Sequence, residues 1–380
     1  MVPQLDLSAA PATSRSLAPV YAAHALVHLL LTLFPAVLFI LKAQFGESYA
    51  VLGATYGAAM LVYGLGAIPV GVFANRVRPL TFLRVSTGAA AVAAAAIAAA
   101  PSSAWFAAAL IGLGAACSVH HTAALTLIAR AGRSEPRLFG HWGMMGNIGL
   151  AIAPAFGGLL AAWASWRLPF AAGAELGTGV TLWLVLGTSG ITDDVPVQVL
   201  AAEEPHTTRL PALTLVYAIS AAMGFVFTGF AAFLPAVTGV RVAFLPATVV
   251  VRGGVVASLV YSIGFFGQWW GGLTGGRSHL EVRYAAVIAA NAVCLLAAFA
   301  LQDWGLMPVL VAFSFVHFST QPLENTLIAR YTSHEARGMS FAVSCAISFG
   351  MGALGAWAGF STCSCCSPPR PRPAPCAPRP

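Results

Sequence analysis

The sequence predicts an all-α polytopic membrane protein in which two pseudo-symmetric bundles, of six and five transmembrane helices, lie side by side. Three observations support this fold class: the composition, a series of long apolar stretches and an internal repeat. Of the 380 residues, 58% are hydrophobic and only 8% are charged, and the mean hydropathy is +0.81. Soluble domains carry about 25% charged residues, so the lipid bilayer is the expected solvent and partner of this chain.

Eleven apolar stretches are long enough to cross the hydrocarbon core, which is about 30 Å thick and requires about 20 helical residues. Each stretch is expected to be helical, because lipid offers the backbone no hydrogen-bond partners. The predicted spans are residues 18–42, 48–74, 79–100, 103–130, 138–163, 166–188, 211–238, 247–273, 283–301, 304–330 and 337–360.

The distribution of basic residues predicts the orientation. With the N-terminus in the cytoplasm, fifteen of the 19 Lys and Arg residues fall on the cytoplasmic side, where membrane proteins concentrate positive charge. The pI near 9.3 is therefore interpreted as a topology signal, and no nucleic-acid partner is expected. The chain is expected to be a multi-pass protein of the cell (inner) membrane.

Reporter fusions test this orientation. A reporter that is active only in the cytoplasm is expected to work when fused within the loop 76–84, the loop 130–137 or the linker 190–211, because basic residues flank these segments. Activity only outside the cell at any of the three positions would contradict the orientation.

The two halves of the chain repeat with an offset of about 200 residues. The pentapeptide TLIAR occurs at 126–130 and again at 326–330, and Pro35 in LFPAV corresponds to Pro235 in FLPAV. Parallel repeats joined by a polar linker are the sequence signature of a two-bundle secondary transporter. The expected organisation is a cytoplasmic lead 1–17, a six-helix bundle 18–189, a cytoplasmic linker 190–211, a five-helix bundle 212–360 and a tail 361–380.

Five segments carry a family resemblance: HALVHLLLTLFPAVLFILKAQFGESYAVLG, HHTAALTLIAR, GMMGNIGLAIAP, TQPLENTLIARYTSHEARG and FGMGALGAWAG. Over residues 21–360 the chain resembles the major facilitator superfamily, and more closely its branch of fosmidomycin-resistance-type efflux permeases. The resemblance implies the major-facilitator fold, with its first, fourth, seventh and tenth helices as cavity walls.

The same resemblance implies gating loops after the second and eighth helices. The family pattern of glycine, three residues, an acidic and a basic residue stands here as Gly71 to Arg76, with Asn75 in the acidic place. Its second-half counterpart runs from Gly272 to Arg277, with glycine in the acidic place. Loss of the acidic residue is expected to affect how the closed state is held, and not the fold.

Polar residues at membrane depth are expected to line a substrate and proton cavity, because an ionisable side chain there costs about 2.5–3.5 kcal/mol on insertion scales. Helical spacing places those of the first helix on one face, and likewise those of the tenth. The candidate cavity residues are His24, His28, Thr32, His120, His121, Asn147, His317, Gln321 and Glu324.

Two interpretations of these polar residues remain open. In the first, the histidines charge and discharge near neutral pH, since their unperturbed pKa is about 6.5, and Glu324 is the carboxyl that cycles a proton. In the second, each histidine is neutral and hydrogen-bonded between helices. Asn147 fits either a helix contact or a cavity donor. Glu175, in the sixth helix, is expected to bond a neighbouring helix, and Gln268 to anchor its helix at the membrane interface.

The last twenty residues, 361–380, contain seven prolines and four cysteines and no membrane-crossing run. Since proline breaks helices, this tail is expected to be disordered, and the family's twelfth helix is missing. One interpretation makes the cysteines metal ligands or palmitoylation sites. The preferred one is that the natural end was lost, for example through a frameshift.

The function predicted from the sequence is secondary active transport of a small molecule by alternating access. No phosphate-binding loop, H-E-x-x-H motif or paired-cysteine motif occurs, so the protein is not expected to be an enzyme or to hold a cofactor or metal. Efflux in exchange for protons by a monomer is the favoured form. The alternatives are proton-coupled uptake and a truncated, non-transporting product or membrane receptor.

Overall fold

The computed structural model describes residues 17–73, 78–131, 136–188, 208–242, 244–301, 303–333 and 335–362. Within these ranges every regular element is an α-helix and no strand is present. The helices are α1 (Ala18–Phe45), α2 (Tyr49–Leu65), α3 (Ala67–Phe73), α4 (Pro79–Ala98), α5 (Ser103–Cys117), α6 (His120–Ala131), α7 (Pro136–Trp163), α8 (Leu168–Gly187), α9 (Leu210–Arg241), α10 (Val249–Gly275), α11 (Leu280–Ala300), α12 (Asp303–Tyr331) and α13 (Arg337–Thr362).

These helices form 11 segments that are long and apolar enough to cross a membrane, counted over the described residues. Nine are single helices, and two are pairs, α2 with α3 and α5 with α6. The prediction of an all-α polytopic fold with six spans in the first half and five in the second is confirmed. Most of the lead 1–17, most of the linker 190–211 and nearly all of the tail 361–380 lie outside the described residues. The predictions about the tail cysteines and the missing twelfth helix therefore stay predictions.

The structure corrects the sequence analysis at two spans that were predicted as continuous helices. The second span is interrupted at Gly66 and the fourth at Ser118 and Val119. The two interruptions pack against each other, because a Cβ placed on Gly66 would lie 2.6 Å from the Cβ of Ser118. The Ser118 hydroxyl turns back to donate to the Ala115 carbonyl, 2.7 Å away. The histidine pair of the fourth span thereby begins a new helix, α6.

Local sequence signals explain where the helices of the first half begin and end. Helix α1 carries a proline in its first turn and ends at Gly46, whose φ of 69° suits glycine and whose N–H bonds the Lys42 carbonyl. Ser48 then accepts a hydrogen bond from the Val51 N–H and caps α2, as Ser102 does for α5. The connections at these caps are short, so each joins two antiparallel helices of the same bundle.

Two sets of helices make the most extensive contacts between the bundles, and the internal repeat relates one set to the other. Helices α1–α8 pack among themselves, as do α9–α13, while α7 packs along α10 and α2 with α3 packs along α13. The 200-residue offset places α10 on α2 and α13 on α7, so the two joints are equivalent. Glycines allow the close approach: Gly140 meets Gly272 across one joint, and Gly64 meets Gly350 across the other.

Candidate transport cavity

A cavity lies between the two bundles near the middle of the helices. Its empty volume, which includes space open to solvent, is about 790 Å³. Residues from α1, α6 and α7 form the wall of the first half, and residues from α9, α10, α12 and α13 form the other. Six of the predicted residues lie on these walls: His28, His121, Asn147, His317, Gln321 and Glu324.

The first-half wall carries a connected group of histidines. His24 Nε2 lies 3.0 Å from His28 Nε2 and 3.3 Å from His121 Nε2. The ring of His24 stacks on Trp142, with centroids 3.7 Å apart, and its Nδ1 donates to the Trp142 carbonyl at 2.7 Å. His121 Nδ1 lies 2.6 Å from the Tyr63 hydroxyl. Trp142 and Tyr63 do not line the cavity, so their hydrogen bonds hold the His24 and His121 rings from behind.

Close packing of α1 on α7 explains how His24 fits there. A side chain at Gly149 would collide with the Ala25 backbone, and a Cβ at Gly146 would lie 2.7 Å from His24 Nε2. The glycines of the stretch GMMGNIG therefore bring the two helices together and leave room for the imidazole ring.

Glu324 is the centre of the second-half wall. Its carboxylate accepts hydrogen bonds from Ser220 of α9 at 2.5 Å, Tyr284 of α11 at 2.7 Å and Ser344 of α13 at 3.1 Å. The side chain is partly buried and also borders the cavity. Because the donors come from three other helices, Glu324 connects α12 to α9, α11 and α13.

His317 lies on α12 one turn before Gln321 and two turns before Glu324. Its Nδ1 lies 3.0 Å from the Asn291 side-chain oxygen, and its ring stacks between Phe227 and Phe313. The repeat position opposite His121 is Gln321, whose side-chain oxygen accepts from Gln268 at 2.6 Å. The two halves thus present different chemistry at equivalent positions, histidine on one side and amide on the other.

Asn147 makes the helix contact that was one of its two expected roles, and it also lies on the cavity wall; a role as cavity donor stays a prediction. Its amide nitrogen donates to the Tyr261 carbonyl across the joint between α7 and α10, and the residue also lines the cavity. Its side-chain oxygen has no hydrogen-bond partner among the described residues. This oxygen is buried in the contact between α7 and α10, where it faces Gly264.

Three predicted cavity residues do not line the cavity. His24 lies behind His28 and His121, Thr32 donates to the His28 carbonyl of its own helix at 2.6 Å, and His120 is fully buried. Neither ring nitrogen of His120 has a partner within the described part of the chain. Helical spacing identified the correct face of α1, but it could not show that α7 packs over the turn of α1 that carries His24.

Two further expectations were wrong. Glu175 is exposed on the outer surface of α8, and no bond to a neighbouring helix is found for it among the described residues. Gln268 is 2% exposed and lines the cavity, whereas the adjacent Trp269 is exposed. The glycines that flank Gln268, at 267 and 271, pack on the α12 backbone and were the available signal that this turn is buried.

The predicted gating glycines lie at the joints between the bundles. A Cβ on Gly71 would lie 3.2 Å from Met339 Cα of α13, and one on Gly272 would lie 2.9 Å from Gly140 Cα of α7. Arg277 is exposed just beyond α10. Asn75 and Arg76 lie outside the described residues. Whether these positions gate the cavity stays a prediction.

The lining combines apolar side chains with neutral polar and ionisable groups. Leu125, Leu150, Met223, Phe227, Phe318 and Phe349 supply the apolar surface. Among the described lining residues Glu324 is the one carboxylate, and neither lysine nor arginine is present. This arrangement suits a small amphipathic molecule that is neutral or positively charged.

Comparison with known proteins places the fold. The sequence profile described as Major Facilitator Superfamily matches residues 20–356, which is most of the chain. No protein with curated annotation matches the sequence significantly.

Solved structures of similar shape include three transporters. A human organic anion transporter, MFSD10 (TETRAN), has a TM-score of 0.72 at 15% identity, with 91% of this chain and 93% of that chain covered. A bacterial homolog of the human lysosomal transporter Spinster, in an inward-facing and unoccupied conformation, has a TM-score of 0.67 at 19% identity, covering 90% and 81%. The proton:xylose symporter XylE, bound to 6-bromo-6-deoxy-D-glucose, has a TM-score of 0.68 at 15% identity, covering 90% and 87%.

Proposed function

Because the chain belongs to the major facilitator superfamily, we propose that it is a secondary transporter that exchanges a small amphipathic molecule for protons by alternating access. The observation that carries this proposal is the cavity between the bundles, whose described lining has one carboxylate, three histidines and otherwise apolar and uncharged polar groups. The finer features, efflux and a cytoplasmic N-terminus in the inner membrane, rest on the family branch and the basic residues described above.

Glu324 is the proposed coupling group. A single carboxylate in a cavity binds either a proton or a positively charged cargo, and each ligand weakens the binding of the other. Exchange follows if the bundles rearrange only when one of the two is bound. The titratable groups near it are the Tyr284 hydroxyl of α11, the Cys345 thiol of α13 and His317 of α12, with His121 on the opposite wall.

Flux in proteoliposomes tests the proposal. The purified protein is reconstituted with a pH-sensitive dye inside, and ethidium, chloramphenicol or fosmidomycin is added outside, as a cationic, a neutral and an anionic probe. Exchange predicts that inward movement of the cation drives protons outward, so the lumen becomes alkaline. Proton movement in the same direction as the probe would favour the uptake symporter, and no movement with any probe would favour a non-transporting protein.

The charge of the cavity lining also predicts an order among the three probes. Ethidium is expected to drive the largest proton movement and fosmidomycin the smallest, because Glu324 attracts a cation and no described lining residue is permanently positive. A response to fosmidomycin alone would contradict the charge argument and leave proton-coupled exchange in place.

A further inference from the structure

Three histidine side chains converge at one point beside the cavity. The Nε2 atoms of His28 and His121 lie 3.0 Å and 3.3 Å from His24 Nε2, and potential ligand atoms of the three residues lie within 4.8 Å of one another. All three side chains are buried. We propose that His24, His28 and His121 form a binding site for a divalent transition-metal ion such as zinc, cobalt or nickel. This site goes beyond the proposed exchange of a molecule for protons.

The distances between the nitrogens fit a tetrahedral ion. Zinc binds imidazole nitrogen at about 2.0–2.1 Å, so two ligand nitrogens of a tetrahedral site lie about 3.4 Å apart. The observed separations of 3.0 Å and 3.3 Å from His24 Nε2 are close to this value. The ligand atoms of the third pair, His28 and His121, lie within 4.8 Å of each other.

A hydrogen bond behind the ring of His24 holds the tautomer that a metal requires, and a second one orients the ring of His121. The Trp142 carbonyl only accepts, so the proton of neutral His24 is on Nδ1 and its Nε2 carries a lone pair. His121 Nδ1 is engaged by the Tyr63 hydroxyl, and its Nε2 is directed at the cluster. Metal-bound histidines almost always have such a second partner, which fixes the orientation of the ring.

Hydrogen bonding within the cluster does not satisfy all three rings. The single lone pair on His24 Nε2 accepts one hydrogen bond, yet the Nε2 atoms of both His28 and His121 face it. One nitrogen–nitrogen contact is therefore left without a bond when the rings are neutral. A metal ion accepts a lone pair from each ring and removes this conflict.

The ligand type and the position of the cluster indicate the class of ion and its route. Imidazole suits zinc, copper, iron and nickel, whereas calcium and magnesium prefer oxygen ligands. His28 and His121 also line the cavity, so an ion can enter from there and keep its fourth position directed toward the cavity. No metal was expected from the sequence because no contiguous ligand motif marks this site: His121 follows His24 by 97 residues.

Cobalt binding to the purified full-length protein tests the site. The protein, carrying no histidine tag, is titrated with Co²⁺ in detergent, and the visible absorption of tetrahedral cobalt is followed before displacement with Zn²⁺. One equivalent per chain is expected to bind. His24→Gln and His28→Gln are each expected to lower the affinity at least about 100-fold, and Tyr63→Phe about 10-fold, because it removes the bond that orients His121.

His141→Gln is the matched control, since His141 is exposed on α7 and does not belong to the histidine cluster. It is expected to leave cobalt binding unchanged. Zinc is also expected to raise the melting temperature of the wild type and of His141→Gln but not that of His24→Gln. The proposal is overturned if the wild type, shown to be folded by its cooperative melting, binds no more Co²⁺ than His24→Gln, or if Tyr63→Phe and His141→Gln lose affinity equally. Neither result bears on proton exchange through Glu324.

Discussion

Replacing Glu324 with glutamine is expected to reduce proton-driven flux in proteoliposomes to the level of empty liposomes. Glutamine keeps the size of the side chain and an oxygen that accepts from Ser220 and Ser344, but it cannot bind and release a proton. The Tyr284 hydroxyl, which donates to the carboxylate, can rotate to accept from the new amide. The variant is therefore expected to express and melt like the wild type while its coupling is lost.

Two controls separate coupling from folding and from cargo binding. Glu175→Gln removes the exposed carboxyl of α8 and is expected to leave flux unchanged. Exchange of a neutral probe between equal concentrations on both sides is expected to continue in Glu324→Gln and to become independent of pH. If Glu175→Gln abolishes flux and Glu324→Gln does not, the coupling carboxyl has been assigned to the wrong bundle.

The second large effect is expected for Gly149, where α7 touches the backbone of α1. Gly149→Val is expected to destabilise the protein by about 1–3 kcal/mol, the usual cost of overfilling a packed interior. A side chain there collides with the Ala25 carbonyl, and backbone cannot move aside as a flexible side chain does. The loss is measured as a lower melting temperature in detergent.

Gly179→Val is the matched control for this substitution. It introduces the same side chain on α8, where a new Cβ meets nothing within 4 Å. Its melting temperature is expected to stay close to that of the wild type. Equal destabilisation by the two substitutions would mean that the loss comes from helix propensity, and that close contact of α1 with α7 is not required.

Much of the fold could be predicted because the membrane leaves few alternatives. Apolar stretches of about 20 residues must be helical in lipid, and the repeat from TLIAR at 126–130 to TLIAR at 326–330 indicates how the bundles correspond. The interruptions at Gly66 and Ser118 were not predictable in the same way. Each depends on packing against the other, which only the folded structure brings together.

The candidate site was predictable in part for a similar reason. Glu324 could be identified from the sequence because a carboxyl at membrane depth is costly and is usually functional. Its donors Ser220 and Ser344 could not be identified, since serines are common in such helices. Glu175 satisfied the same rule and nevertheless faces outward. Helix α8 is apolar on nearly all sides, so its sequence gave no indication of which face meets the protein. His24 was misplaced because the depth of the contact between α1 and α7 depends on tertiary packing.

Distances between spin labels at the two ends of the molecule test alternating access most directly. In a variant without the seven cysteines, one pair of labels is placed at the exposed residues Thr81 of α4 and Val282 of α11, near one end of the two bundles. The other pair is placed at Ala104 of α5 and Gly305 of α12, near the opposite end. Double electron–electron resonance is measured in lipid at pH 5 and pH 8, with wild-type Glu324 and with Glu324→Gln.

Alternating access coupled to Glu324 predicts that a change of pH lengthens one of the two distances and shortens the other, because the bundles rock about the cavity. The same change of pH is expected to leave both distances unchanged in Glu324→Gln. Distances that do not respond to pH in the wild type, or that lengthen together at both ends, would contradict proton-coupled alternating access.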